Sequence, residues 1–341
     1  MIFTGKGRVR FLDAVAGFET AVRQGDGERS QQTMQEIQRH FEHARDDDLA
    51  GVGPRLAALL PTVPPGPRAL VAVLVGACVE RGADAGACAP HIFEGLAEVL
   101  GVAQEFCARW AATGGGDFPD PDPAALSEAA LERVGQDAAV GWITLQQWEM
   151  ASVAMLNRPA VRTALPPETR LALLSALHEI REASGHDFKC LHYALLVLDD
   201  EPLLALHRPT GTGYLLRMTG IGDNFQLHTL LADVLIGGGH VPGEAPSAQE
   251  AAVCRDAPGQ VPTTGSFNLV TPGGEWVWNE GTPTDIPVVE GTRVVVLDPP
   301  PYRRGWPAGR FFPGMAGDLV LERVLGADEV QERLGRCTPP K

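Results

Sequence analysis

The sequence predicts the α+β class: an all-helical N-terminal domain, as an antiparallel bundle or a short HEAT-like stack, followed by a mostly antiparallel α+β C-terminal domain. Two observations carry this. Up to about residue 185 the apolar residues recur at helical spacing, as in the stripe Phe11, Val15, Phe18 and Val22. Beyond it, short apolar runs alternate with Asp, Pro and Gly turns. A chain of 341 residues is also long for one hydrophobic core, so two domains are expected, residues 1–185 and 186–341.

The helices follow in order. Gln31–Ala44 continues the first stripe as a polar, exposed helix, and Leu49–Leu60 ends at Pro61. Arg68–Arg81 is apolar on nearly every side, as a helix buried between others must be. Ala89–Ala112 closes at three glycines, and the prolines of residues 117–123 prohibit helix there. Ala124–Asp137 and Val140–Leu156 come next, the second burying Trp142, Leu145, Trp148 and Met155. Pro167 opens a last helix with Leu171, Leu174, Leu177 and Ile180 on one side.

In the second half, Cys190–Leu198 is apolar on both faces and is expected as a central strand. Leu203–His207 and Tyr214–Met218 are strands joined by Pro209-Thr-Gly-Thr-Gly213. Asp223–Leu235 is expected as a helix, with a short helical piece near Ser247–Val253. Ser266–Thr271 and Glu275–Asn279 form a hairpin about Pro272-Gly-Gly274. Arg293–Leu297 is a buried strand, Pro299–Pro313 is irregular, and Ala327–Leu334 is a closing helix.

Composition narrows the function. The formal charge is −15, with 16 basic and 24 acidic residues over 1–184 and 12 and 19 over 185–341. Neither half offers the positive field that a phosphate backbone or an anionic membrane requires, so nucleic acid and membrane are not expected as partners. The six cysteines show no C-x-x-C spacing. Cys78 and Cys107 are expected as buried small hydrophobes, and Cys190 as an inert thiol inside its strand. Acidic residues soon after Lys6, Arg8 and Arg10 interrupt any leader pattern, and the run Ala69–Val79 is too short to span a bilayer. A cytoplasmic protein is expected.

The densest candidate stretch is residues 207–228. Thr219-Gly-Ile-Gly-Asp-Asn224 leaves a strand and enters a helix, where backbone N–H groups converge on an anion. The dinucleotide fingerprint would need a third glycine, where Phe225 stands. Asp223 with Gln226 also fits a helix cap. His192, His207, His228 and His240 share the region, but no two are spaced i, i+4, and no metal is expected. His178, Glu182 and His186, like Glu36, His40 and His43, are polar helix faces lacking the Glu-x-x-His of a di-iron bundle. No Gly-x-Ser-x-Gly elbow occurs. The last candidate is Pro301–Pro313, with three arginines among four aromatics, suited to an acidic or planar partner.

Two functions fit. One is a non-catalytic binding or scaffold protein, meeting a protein partner or small-molecule ligand around residues 207–228 and the crevice between domains. The other is an enzyme acting on a small anionic molecule, with His207, Asp223 and His228 moving protons. Arg217 would then bind the anion, and Thr210, Gly220, Gly222, Asn224 and Gln226 would contact the ligand. The cofactor is unknown from the sequence.

Overall fold

The computed structural model describes residues 2–341. The fold is α+β with two domains, helical first and mostly antiparallel sheet second. Contacts divide the chain into Met1–His192 and Tyr193–Lys341.

The first unit contains α1 (Ile2–Gln24), α2 (Gly27–His40), α3 (Asp46–Leu59), α4 (Pro65–Glu80) and α5 (Ala85–Ala112). It continues with α6 (Glu128–Val134), α7 (Gln136–Ile143), α8 (Leu145–Leu156), α9 (Pro159–Ala164) and α10 (Pro167–Ser184). Short polar residues start several of them. The Asp26 side chain accepts from Arg29 N and the Asp84 side chain from Gly86 N, each satisfying a first-turn donor that has no helical partner. The expected helix Val140–Leu156 is broken at Thr144, between α7 and α8. The 28-residue α5 is central and touches α3, α7, α8 and α10. Gly95 makes one of these contacts possible. A Cβ there would lie 2.2 Å from the Trp148 ring, so the indole rests directly on the α5 backbone.

One expectation is overturned at the end of this unit. Residues 190–198 are not a central strand; Lys189–Leu196 is a helix, α11. Leu191, Ala194 and Leu195 are buried and Cys190 is exposed, a spacing of three and four that a strand cannot produce. An apolar run of this length suits either period, and here leucine and alanine favour helix.

In the second unit, β1 (Glu201–His207) and β2 (Thr212–Thr219) form an antiparallel hairpin. Then come α12 (Asn224–Ala232), α13 (Ala248–Arg255), β3 (Val261–Thr264), β4 (Asn268–Val270) and β5 (Val288–Val289). The chain closes with β6 (Thr292–Asp298), β7 (Gly305–Ala308), β8 (Asp318–Val324) and α14 (Ala327–Gly335). The main sheet runs β4-β6-β1-β2-β8, with β5 on β6, and β3 pairs with β7. β1 and β6 are parallel; the other strand pairs among the described residues are antiparallel.

β1 is buried on both faces. Leu203 and Ala205 join a core with Leu227, Leu230 and Leu231 of α12. Leu204 and Leu206 face a smaller core closed by Val330 of α14. Of the expected hairpin after Ser266, only β4 is a full strand; Val270 and Trp276 meet in a single bridge. Residues 299–313 are not wholly irregular, because β7 lies inside them. β8, an edge strand with a bulge opposite Leu215/Leu216, was not foreseen. Among the described residues no helix is long and apolar enough to cross a membrane.

Candidate functional site

The turn from β2 into α12 is held by side chains bonded to main chain. Gly220 has φ +66°, and a Cβ on it would lie 2.1 Å from the Ala316 carbonyl oxygen. Glycine is therefore required there on two counts. The Asp223 carboxylate accepts from Gln226 N at 2.8 Å and caps α12. The Gln226 side chain accepts from Gly222 N at 2.9 Å and donates to the Cys254 carbonyl at 2.7 Å. Asn224 donates through Nδ2 to the Trp278 carbonyl at 2.7 Å, while its buried Oδ1 has no partner. Arg217 forms a two-pronged pair with Glu322 at 2.7 and 3.1 Å and also donates to the Asp200 carbonyl. That pairing raises the Arg217 pKa and lowers that of Glu322.

His207 ends β1 and stands edge-on to Phe267. Its Nδ1 lies 2.7 Å from Thr210 Oγ1, which lies 2.6 Å from Thr212 Oγ1. Tyr214 Oη then lies 2.8 Å from Thr212 Oγ1 and 2.9 Å from the His240 carbonyl. A carbonyl only accepts, so the Tyr214 hydroxyl donates on this side, and the hydroxyls of Thr210, Thr212 and Tyr214 link the His207 ring to the His240 main chain. Burial lowers the His207 pKa, with the nearby Asp298 charge opposing.

His228 lies on α12 and is fully engulfed. Its pKa is lowered to about 4, chiefly by burial, with the Asn279 side chain working the other way and the Arg304 charge adding to the fall. The imidazole is therefore neutral at pH 7. It stands edge-on to Trp306 of β7, 5.3 Å between ring centroids, and Phe225 packs on the same indole. His228 Nδ1 and Trp306 Nε1 are both buried and both without a hydrogen-bond partner.

These two rings belong to one small cavity of about 20 Å³, room for roughly one water. Phe267, Asn279 and Arg304 complete its inner lining, and the exposed Trp276 and Tyr302 stand at its margin. Of the residues predicted within 207–228 only His228 borders it; Asp223, Asn224, Gln226, Arg217 and Thr210 have the local roles described above. The Pro301–Pro313 candidate contributes Pro301, Tyr302, Arg304 and Trp306.

No family model, curated protein or solved structure matches this chain.

Asn268, Asn279 and Phe267 were missed by sequence reasoning, since their part depends on β4 and its return segment lying beside β7. Among the described residues, no group of three or more His, Cys, Asp and Glu side chains is arranged to hold a metal ion. Cys190, expected inside a strand, is exposed on α11, although partial burial and the Glu149 charge raise its pKa.

Proposed function

We propose that this is a non-catalytic binding protein whose C-terminal unit docks a partner chain at the His228–Trp306 cavity. The observation that carries this reading is the pair of buried, unpartnered ring nitrogens below two exposed aromatics, Trp276 at 38% and Tyr302 at 56% accessibility. A cavity of about 20 Å³ does not enclose a metabolite, for which several hundred Å³ are usual. It does suit the tip of one side chain, with the aromatics supplying contact area around it. Tryptophan, tyrosine and arginine are the residues that dominate protein interfaces.

The chemistry favours an acidic partner. Trp306 Nε1 can only donate, so the incoming group must bring an acceptor. Arg304 lines the same cavity and is paired with Glu280 at 3.2 Å. The catalytic alternative has less support. His228 is a weak base in its buried setting, the Asp223 carboxylate caps a helix, and Arg217 is matched by Glu322.

Selection of random peptides on the full chain tests this. The expected result is a consensus holding an aspartate or glutamate beside an aromatic residue. Titration calorimetry of that peptide should show binding weakened at least about tenfold by Trp276→Ala with Tyr302→Ala, the scale of an interface hot spot. Absence of a consensus, or equal binding by the double variant, overturns the proposal.

A further inference from the structure

A second cavity, of about 580 Å³, lies within the helical unit. Its volume falls in the range of sites that enclose a small molecule. The walls come from α1, α2, the segment before α4, and α4 itself. Phe18, Val22, Met34, Val63, Pro67 and Leu70 provide the apolar lining. The polar lining consists of neutral groups: the amides of Gln31, Gln35 and Gln38 and the hydroxyls of Ser30 and Thr62.

Among the described residues no charged side chain lines this cavity, in a chain that is 21% charged and carries −15. The nearby charges are engaged elsewhere. Glu19 pairs with Arg55 at 2.7 Å and Arg23 at 3.8 Å, and Asp26 caps α2. An anionic or cationic ligand would therefore lose its hydration without gaining a partner, which is strongly unfavourable. A neutral one loses nothing of the kind, and the glutamine amides can bond a hydroxyl or carbonyl at its end.

The shape is also built in. A Cβ on Gly17 would lie 3.1 Å from the Thr33 side chain, so α1 and α2 are in close contact there. Further along, the chain must turn through Gly25, φ +69°, before α2 begins. Val22, Gly25 and Gly27 line the space where the two helices are joined.

We infer that this cavity is a binding site for an uncharged amphiphile, a molecule with an apolar body and one hydroxyl or carbonyl end. It stands independently of the docking site proposed on the C-terminal unit.

Nile red, a neutral dye whose emission shifts to the blue in apolar surroundings, is the probe for the full-length protein. Saturable binding is expected, with decanol displacing the dye at concentrations at least about tenfold below decanoate at pH 8, because only decanoate must bury a charge. Leu70→Glu and Gln35→Glu change exposed positions and should leave the fold intact by circular dichroism; each should weaken dye binding at least about fivefold, on the order of one unpaired charge. Trp276→Ala should leave it unchanged. Lack of saturable binding, equal displacement by decanoate, or dye binding insensitive to both variants overturns the inference. So does a dimer that Leu70→Glu dissociates, since a second copy would then cover the cavity.

Discussion

His228 and Trp306 meet in a T-shaped contact, with ring planes at 63°, and each ring buries a nitrogen that bonds to nothing. The contact joins α12 to β7 and sets the floor of the proposed docking site. Because the imidazole is engulfed, its proton affinity links this contact to pH. An unfolded histidine titrates near 6.5, whereas His228 resists protonation down to about 4. Between these values the unfolded state binds more protons, so stability falls as pH falls.

Urea denaturation at pH 7 and pH 5 measures this. His228 should account for about 2 kcal/mol of the loss over that interval, at roughly 1.4 kcal/mol per unit below its unfolded value. His228→Phe, which keeps a flat ring, should lose that much less than wild type between the two pH values. An equal loss in both proteins would show that His228 does not titrate as its burial implies. His207 is shifted the same way and adds to the slope with the same sign.

The hydroxyl series from His207 to His240 makes a separate prediction. Tyr214→Phe removes the donor to the His240 carbonyl and should cost about 1 kcal/mol, the usual net worth of one hydrogen bond. Urea denaturation of the variant checks this, and an unchanged stability would show that the Tyr214 hydroxyl contributes nothing to the fold.

The two glycines of the β2–α12 turn should respond unequally. Gly220→Val forces a side chain into a left-handed backbone and against the Ala316 carbonyl, so a loss of at least about 1–3 kcal/mol is expected. Gly222 has an ordinary φ, and its added carbon would meet Phe311 and Phe312 side chains at 3.1 Å. Gly222→Ala should cost less, about 1 kcal/mol. Thermal unfolding of the two variants decides, and equal losses would remove the special role of Gly220.

Thiol labelling offers a fourth check. Burial pushes the Cys78 thiol up to about 12 and those of Cys88, Cys107 and Cys254 to about 11. Cys190 alone is exposed among the six. One fast-reacting equivalent is expected from the folded protein at pH 7, and Cys190→Ser should abolish it. Several rapid equivalents would indicate easy local opening around the buried thiols.

Much of the fold was legible because periodicity is local. The stripe Phe11, Val15, Phe18 is buried as its spacing demands, and β1, β2 and β6 were recognisable from their apolar runs and turns. Residues 190–198 were misassigned because a run that is apolar all round fits the helical and the strand period equally well. β8 was missed although Leu319 is buried and Val320 exposed, because its later residues Glu322, Arg323 and Val324 break the alternation. The site was legible only in pieces. His228 and the Tyr302–Trp306 segment each stood out, but nothing in either predicted that the two would touch.

Most of the helices and strands, the caps that begin them and the neutral or charged character of each face follow from neighbouring residues, and the chain determined these unaided. Which faces meet was decided by the tertiary structure alone. The parallel pairing of β1 with β6 and the contact of His228 with Trp306 join residues about eighty or more positions apart. Such contacts form because burying apolar area is non-directional and selects among many pairings only through shape, which exists once the elements have packed.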